Sequence, residues 1–144
     1  MRSMLAVAIG AISMTTGCVV YTDDDHHQQD PPAYVNYEPE IAWAEAGCYY
    51  DDYNRDFVWW FDSAVFDDNG HNDIYAVYAD VYDRHGFVDS FELYNETPDP
   101  DEWFSDWLQW STNLDCYYGG YEVEFVAYDV YDAVDFYAVY PATY

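Results

Sequence analysis

Residues 57–93 read FVWWFDSAVFDDNGHNDIYAVYADVYDRHGFVDSFEL, and this run decides the fold. Phe57 to Phe66 is dense in aromatic and β-branched side chains, the types that suit a pleated, half-buried surface. Asp67-Asp68-Asn69-Gly70 then supplies a turn. From Ile74 to Tyr82 the pattern alternates, with Tyr75, Val77, Ala79 and Val81 on one face and Asp80 on the other. Asp83-Arg84-His85-Gly86 makes the next turn, and Phe87 to Tyr94 places Phe87, Phe91 and Leu93 opposite Glu92. A period of two, broken by Gly, Asn and Asp, is the signature of short antiparallel strands.

Working outward, the C-terminal run YEVEFVAYDVYDAVDFYAVYP (121–141) repeats the pattern. Tyr121, Val123, Phe125 and Ala127 face one way and Glu122 and Glu124 the other, and Val134 to Tyr140 forms a last strand closed by Pro141. The stretch between is ambiguous. Asp99-Pro100-Asp101-Glu102 resembles a helix start, and Trp103, Trp107 and Trp110 fall at i, i+4 and i+7. The expectation is a helical turn near 100–106, then an extended strand within Trp107 to Cys116. The fold class read from these patterns is all-β, an antiparallel sandwich of about seven strands over 41–144.

Composition fits a filled core under an acidic surface. Eighteen Tyr, eight Phe and six Trp supply large buried areas, which separates this chain from acidic sequences too poor in apolar groups to fold. The 29 Asp and Glu face three Arg and no Lys, for a formal net charge of −26. Such a surface repels phosphate and argues against nucleic acid; it attracts cations and basic partners, and opposes its own compaction.

The N-terminus carries an address. MRSMLAVAIGAISMTTGC (1–18) has a positive Arg2, an uncharged stretch from Met4 to Met14 too short to span a bilayer, and Thr16-Gly17 before Cys18. It resembles the lipobox signal of bacterial lipoproteins, with Thr15 where that family favours a large aliphatic residue. The resemblance implies cleavage after residue 17, lipid on Cys18 and attachment to a membrane outside the cytoplasm. Val19 is not the Asp that marks inner-membrane retention in that family, so the outer membrane or cell surface is implied. Residues 18–40, which include DDDHHQQDPP, read as a disordered acidic tether reaching roughly 25 Å. The mature charge would be −27, since Arg2 leaves with the signal. With Cys18 lipidated, Cys48 and Cys116 remain to pair in an oxidising compartment; the alternative is two buried thiols.

The run 57–93 also looks like the central strands of bacterial immunoglobulin-like domains, with Trp59 or Trp60 as the buried aromatic, and 121–141 like their last two strands. The order Cys48, Trp59/Trp60, Cys116 echoes the Cys…Trp…Cys spacing of antibody-type domains. Those domains carry a Tyr two residues before the second Cys, inside the penultimate strand. Here that residue is Leu114 and the strand begins beyond Cys116, so the bridge is expected to clip an edge or loop rather than cross the sheets.

Little in the sequence points to catalysis. Residues 41–144 hold two His, His71 and His85, with no Gly-x-Ser-x-Gly, no Gly-rich phosphate loop and no paired His. The better-motivated ligand is calcium, with Asp67, Asn69 and Asp73 offering oxygens at alternate positions around Gly70, although such loops are usually plain turns. Tyr49, Tyr50, Tyr53, Tyr78, Tyr82, Tyr94, Tyr117, Tyr118, Tyr128 and Tyr131 cannot share one small core. They read as cross-strand pairs on a solvated face, or as a display for polysaccharide or a protein partner. The functional expectation is a non-enzymatic, lipid-anchored envelope protein serving as an interaction or structural module. A carbohydrate-binding or Ca²⁺-dependent adhesion module is the alternative, and a basic protein or polysaccharide the expected partner.

Overall fold

The computed structural model describes residues 33–96 and 98–144. The signal, Cys18 and the first part of the tether lie outside the described residues. Seven antiparallel strands run β1 (Glu40–Asp51), β2 (Asp56–Phe66), β3 (Ile74–Asp83), β4 (Gly86–Leu93), β5 (Glu102–Leu108), β6 (Glu122–Asp129) and β7 (Val134–Val139). They form two sheets, ordered β1-β2-β5 and β4-β3-β6-β7. This is an all-β sandwich with immunoglobulin-like strand order, the fourth strand joining the third rather than the fifth.

Two bulges shift side chains from the simple alternation. One between Ile74 and Ala76, where β3 meets β6, turns Ile74 and Ala76 inward and leaves Tyr75 exposed. The other, where Val81–Tyr82 pairs with Asp89–Phe87, brings Val88 against the core and puts Phe87 outside. An extra residue on one strand flips every position on one side of it. Tyr75 and Phe87 therefore lie on the solvent side, not on the core face that simple alternation predicts for them.

The expected helical turn at 100–106 is not formed. Glu102–Leu108 is a strand paired with β2, and a single 3-10 turn follows at Gln109–Ser111. Trp103 and Trp107 share a face because four residues is an even number, so the spacing that suits a helix suits a strand equally. The Asp99 side chain accepts the Asp101 N–H at 3.1 Å, shaping a turn rather than capping a helix.

Between the sheets an aromatic chain fills the core. Trp59 stacks on Phe61 and meets Tyr121 edge-on, Phe61 stacks on Phe91 at 4.7 Å, and Phe91 packs against Trp107. Trp59, fully buried, is the core tryptophan of the pair. Such contacts contribute about 0.5–1.5 kcal/mol each beyond the area they bury. The Tyr121 hydroxyl also accepts the Asp115 N–H at 3.0 Å, tying the entry of β6 to the chain upstream. Immunoglobulin-like sandwiches use a tyrosine corner in the same way.

Three of the four edge strands, β4, β5 and β1, carry a backbone bridge. Tyr94 and Phe104 exchange backbone hydrogen bonds at 2.8 and 3.1 Å, joining the end of β4 to β5. Ala142 accepts from Cys48 and donates to Ala46, laying the C-terminal tail along β1. Unpaired edges invite aggregation, and these bridges blunt them. The compact unit begins at Tyr34 rather than at Ile41, because 34–37 is hydrogen-bonded to the body of the sandwich.

Candidate functional site

Cys48, on β1, is disulfide-bonded to Cys116 in the loop before β6, with the Cα atoms 5.8 Å apart. The bridge clips a sheet edge to a loop. Tyr144 N–H donates to the Cys116 carbonyl while Ala142 holds Cys48, so the C-terminal tail runs between the two half-cystines.

The three residues considered for calcium have protein partners. Asp67 Oδ1 accepts the Asn69 N–H at 2.7 Å, Asn69 Oδ1 accepts the Tyr37 N–H, and Asp73 Oδ2 accepts the Tyr34 hydroxyl at 2.6 Å. That last bond, above all, raises the Tyr34 pKa. Among the described residues no three His, Cys, Asp or Glu converge in a metal-holding group. The loop is a dock for the strap 34–37.

Most of the ten tyrosines are paired. On the outer face of the four-stranded sheet Tyr128 meets Tyr78, and Tyr82 meets Phe87 edge-on, the cross-strand pairing expected of a solvated face. Burial first, and neighbouring carboxylates next, raise the Tyr78 and Tyr82 pKa values. At one end Tyr50, Tyr117 and Tyr144 each pack on Phe57 with ring centres 5.2 Å away and Tyr118 packs on Tyr121, while Tyr131, in the β6–β7 turn, packs on Tyr34.

The outer face of the three-stranded sheet differs. Register sets four rows across β1, β2 and β5: Trp43, Ala64, Glu102; Glu45, Asp62, Phe104; Gly47, Trp60, Asp106; Tyr49, Val58, Leu108. Gly47 permits the half-buried Trp60 indole to lie across β1, since a Cβ there would sit 2.8 Å from Cζ2. The indole is thus drawn off β5, and a groove of about 340 Å³ opens beside it, lined by Tyr49, Trp60, Phe104, Asp62, Glu102 and Asp106 together with Phe61 and Ser105. Among the described residues Trp43, Tyr49, Trp60 and Phe104 make no ring–ring contact, in contrast to Tyr78, Tyr82 and Tyr128 opposite.

Electrostatics make this face unusual. Burial, then the charges of Glu102 and Glu45, push the Asp62 carboxyl above the ordinary range, against a lowering hydrogen bond from the Ser63 backbone. Asp62 Oδ1 is buried with no donor. Neither Arg55, in the β1–β2 turn, nor Arg84, in the β3–β4 turn and bonded to His85, makes an ion pair among the described residues. Sequence reading missed this site, because β5 had to be recognised as a strand and set in register before Phe104 and Asp106 could be placed beside Trp60 and Asp62.

No protein-family model matches the chain, and no curated protein or solved structure is significantly similar to it.

Proposed function

We propose that this chain is a non-catalytic interaction module of a bacterial cell envelope, exported by its N-terminal signal, held at the membrane by lipid on Cys18, and engaging its ligand with the outer face of β1-β2-β5. The carrying observation is that face, where Tyr49, Trp60 and Phe104, none with a ring partner among the described residues, line one groove together with Asp62, Glu102 and Asp106. Tyr and Trp recognise partners well because they bury area at low entropic cost. The Cys48–Cys116 bridge supports an oxidising compartment, and lipidation of Cys18 accounts for the third cysteine. A carbohydrate ligand is the second reading, favoured by an indole laid along the sheet as a platform for a sugar ring.

The test is retention on envelope fractions from the native cell. Trp60→Ala should lose most of the bound material while Tyr75→Ala, on the opposite sheet, keeps it. Equal retention of both variants would refute the ligand face. Mass spectrometry of the mature protein should find diacylglycerol at Cys18; an unmodified N-terminus beyond it would remove the anchor.

A further inference from the structure

We infer that the groove between Trp60 and Phe104 receives the cationic side chain of an extended basic protein segment, with Asp62, Glu102 and Asp106 as counter-charges. The inference rests on the outer face of β1-β2-β5 being the ligand surface, and adds the chemical class of the ligand.

Three observations lead there. The groove combines aromatic walls with carboxylates. A ring face carries the negative part of its quadrupole and attracts a cation, and carboxylates beside it add directed hydrogen-bond acceptors. A guanidinium satisfies both at once, stacking through its plane and donating through its edge.

The second observation is uncompensated charge. Glu45 and Asp62 are register partners on adjacent strands, Glu102 raises the Asp62 pKa, and neither arginine among the described residues, Arg55 or Arg84, pairs with the group. A neutral sugar would leave that repulsion in place. An incoming cation removes it, so the site itself favours a charged occupant, and a net charge of −26 steers cations toward the molecule.

The third is continuity. A neighbouring depression shares Tyr49 and Asp106 with the groove and adds Asp51, and another shares Phe104 and Asp106 and adds Glu96. Carboxylates thus recur along the outer side of β5, which suits an extended segment bearing several cations better than a single small ion.

The test titrates the full chain in detergent with a deca-arginine peptide, following tryptophan fluorescence and, independently, calorimetry. Trp60→Ala and the pair Asp62→Asn/Asp106→Asn should each weaken binding about tenfold or more. The pair Glu122→Gln/Glu124→Gln, which removes the same charge from the outer face of the four-stranded sheet, should change it by less than about twofold. Phe104→Ala, at an exposed position, gives the same reading should Trp60→Ala fold poorly. Equal losses from the two charge pairs would mean that net charge alone attracts the peptide, and would overturn the inference. A neutral hexasaccharide bound in a Trp60-dependent way, with the peptide indifferent to the groove, would also overturn it but leave the ligand face standing. Indifference of both probes to Trp60 and Phe104 would count against both.

Discussion

Trp60 lies across β1 at Gly47, so close that a Cβ on residue 47 would approach its Cζ2 to 2.8 Å and its Cε2 to 2.9 Å. The glycine is therefore part of the groove, since it sets where the indole rests. Gly47→Ala should push the ring toward β5, at a cost of about 1–3 kcal/mol typical of overpacking. Urea unfolding would read the cost, and a changed tryptophan emission would read the displacement. An unchanged midpoint would mean that the ring moves freely and that Gly47 does not position it.

Asp62 gives a prediction of opposite sign. Its folded pKa lies above the unfolded value, so the native state holds the proton more tightly. Stability from this group is present at low pH and falls as pH rises through the folded value. At neutral pH the ionised carboxylate is a liability, and Asp62→Asn should raise the unfolding midpoint at pH 7 and narrow its difference from pH 4. Added salt, which screens Glu45 and Glu102, should help the wild type more than the variant. A variant less stable than wild type at pH 7 would show that the charge is satisfied.

How far the sequence carried the reading follows from these residues. Alternation alone identifies β3 and β6, because one face of each is mostly buried, whereas β7, which has no fully buried residue, is legible from its run of strand-forming residues closed by Pro141. Alternation could not show the bulges that turned Tyr75 and Phe87 outward, since a bulge is set by pairing with a neighbouring strand. Trp59 and Trp60 are adjacent and chemically alike, and only the sheet decides that the first fills the core. Trp103 and Trp107 fit helix and strand equally, so the segment alone does not declare β5, nor the row partners of Trp60 and Asp62. The ligand face is a property of register, which no single segment contains.

The Cys48–Cys116 bridge closes a chain segment with a sequence separation of 68. On the chain-entropy account a loop of that size stabilises by about 4 kcal/mol. Cys48→Ala/Cys116→Ala should lose up to that amount in denaturant unfolding. Because the Tyr144 N–H donates to the Cys116 carbonyl and the Ala142 N–H to the Ala46 carbonyl two residues before Cys48, both amides should also lose protection from hydrogen exchange. Full protection of the tail in the double variant would show that the Phe57–Tyr144 contact holds it unaided.

Calcium should act on this protein chiefly as an ionic-strength agent. Asp67 Oδ2 and Asn36 Oδ1 are the donorless buried oxygens near the strap, and calcium takes about six to eight oxygen ligands. Asp67 Oδ1, Asn69 Oδ1 and Asp73 Oδ2 already accept hydrogen bonds. Millimolar Ca²⁺ should therefore move the melting midpoint no further than NaCl of equal ionic strength. A larger, saturable shift abolished by Asp67→Asn would establish a site there.

Asp129 is fully buried, yet its carboxyl is held below the ordinary range. Burial alone would raise it, but the Asn36 amide and the N–H groups of Ala133 and Tyr131, the last two at 2.7 and 2.8 Å, outweigh that cost. A lowered folded pKa contributes stability that is present above the unfolded value of about 3.9 and lost as pH falls through the folded one. The strap supplies one of the three donors, so its docking and the acid stability of the β6–β7 hairpin are linked. Asn36→Ala should cost about 1.5–3 kcal/mol, the worth of a hydrogen bond to a charged group, and should shift acid unfolding to higher pH. Circular dichroism followed from pH 6 to pH 2 would measure both. A variant destabilised equally at every pH would mean that Asn36 anchors the strap by packing and leaves the Asp129 proton equilibrium untouched.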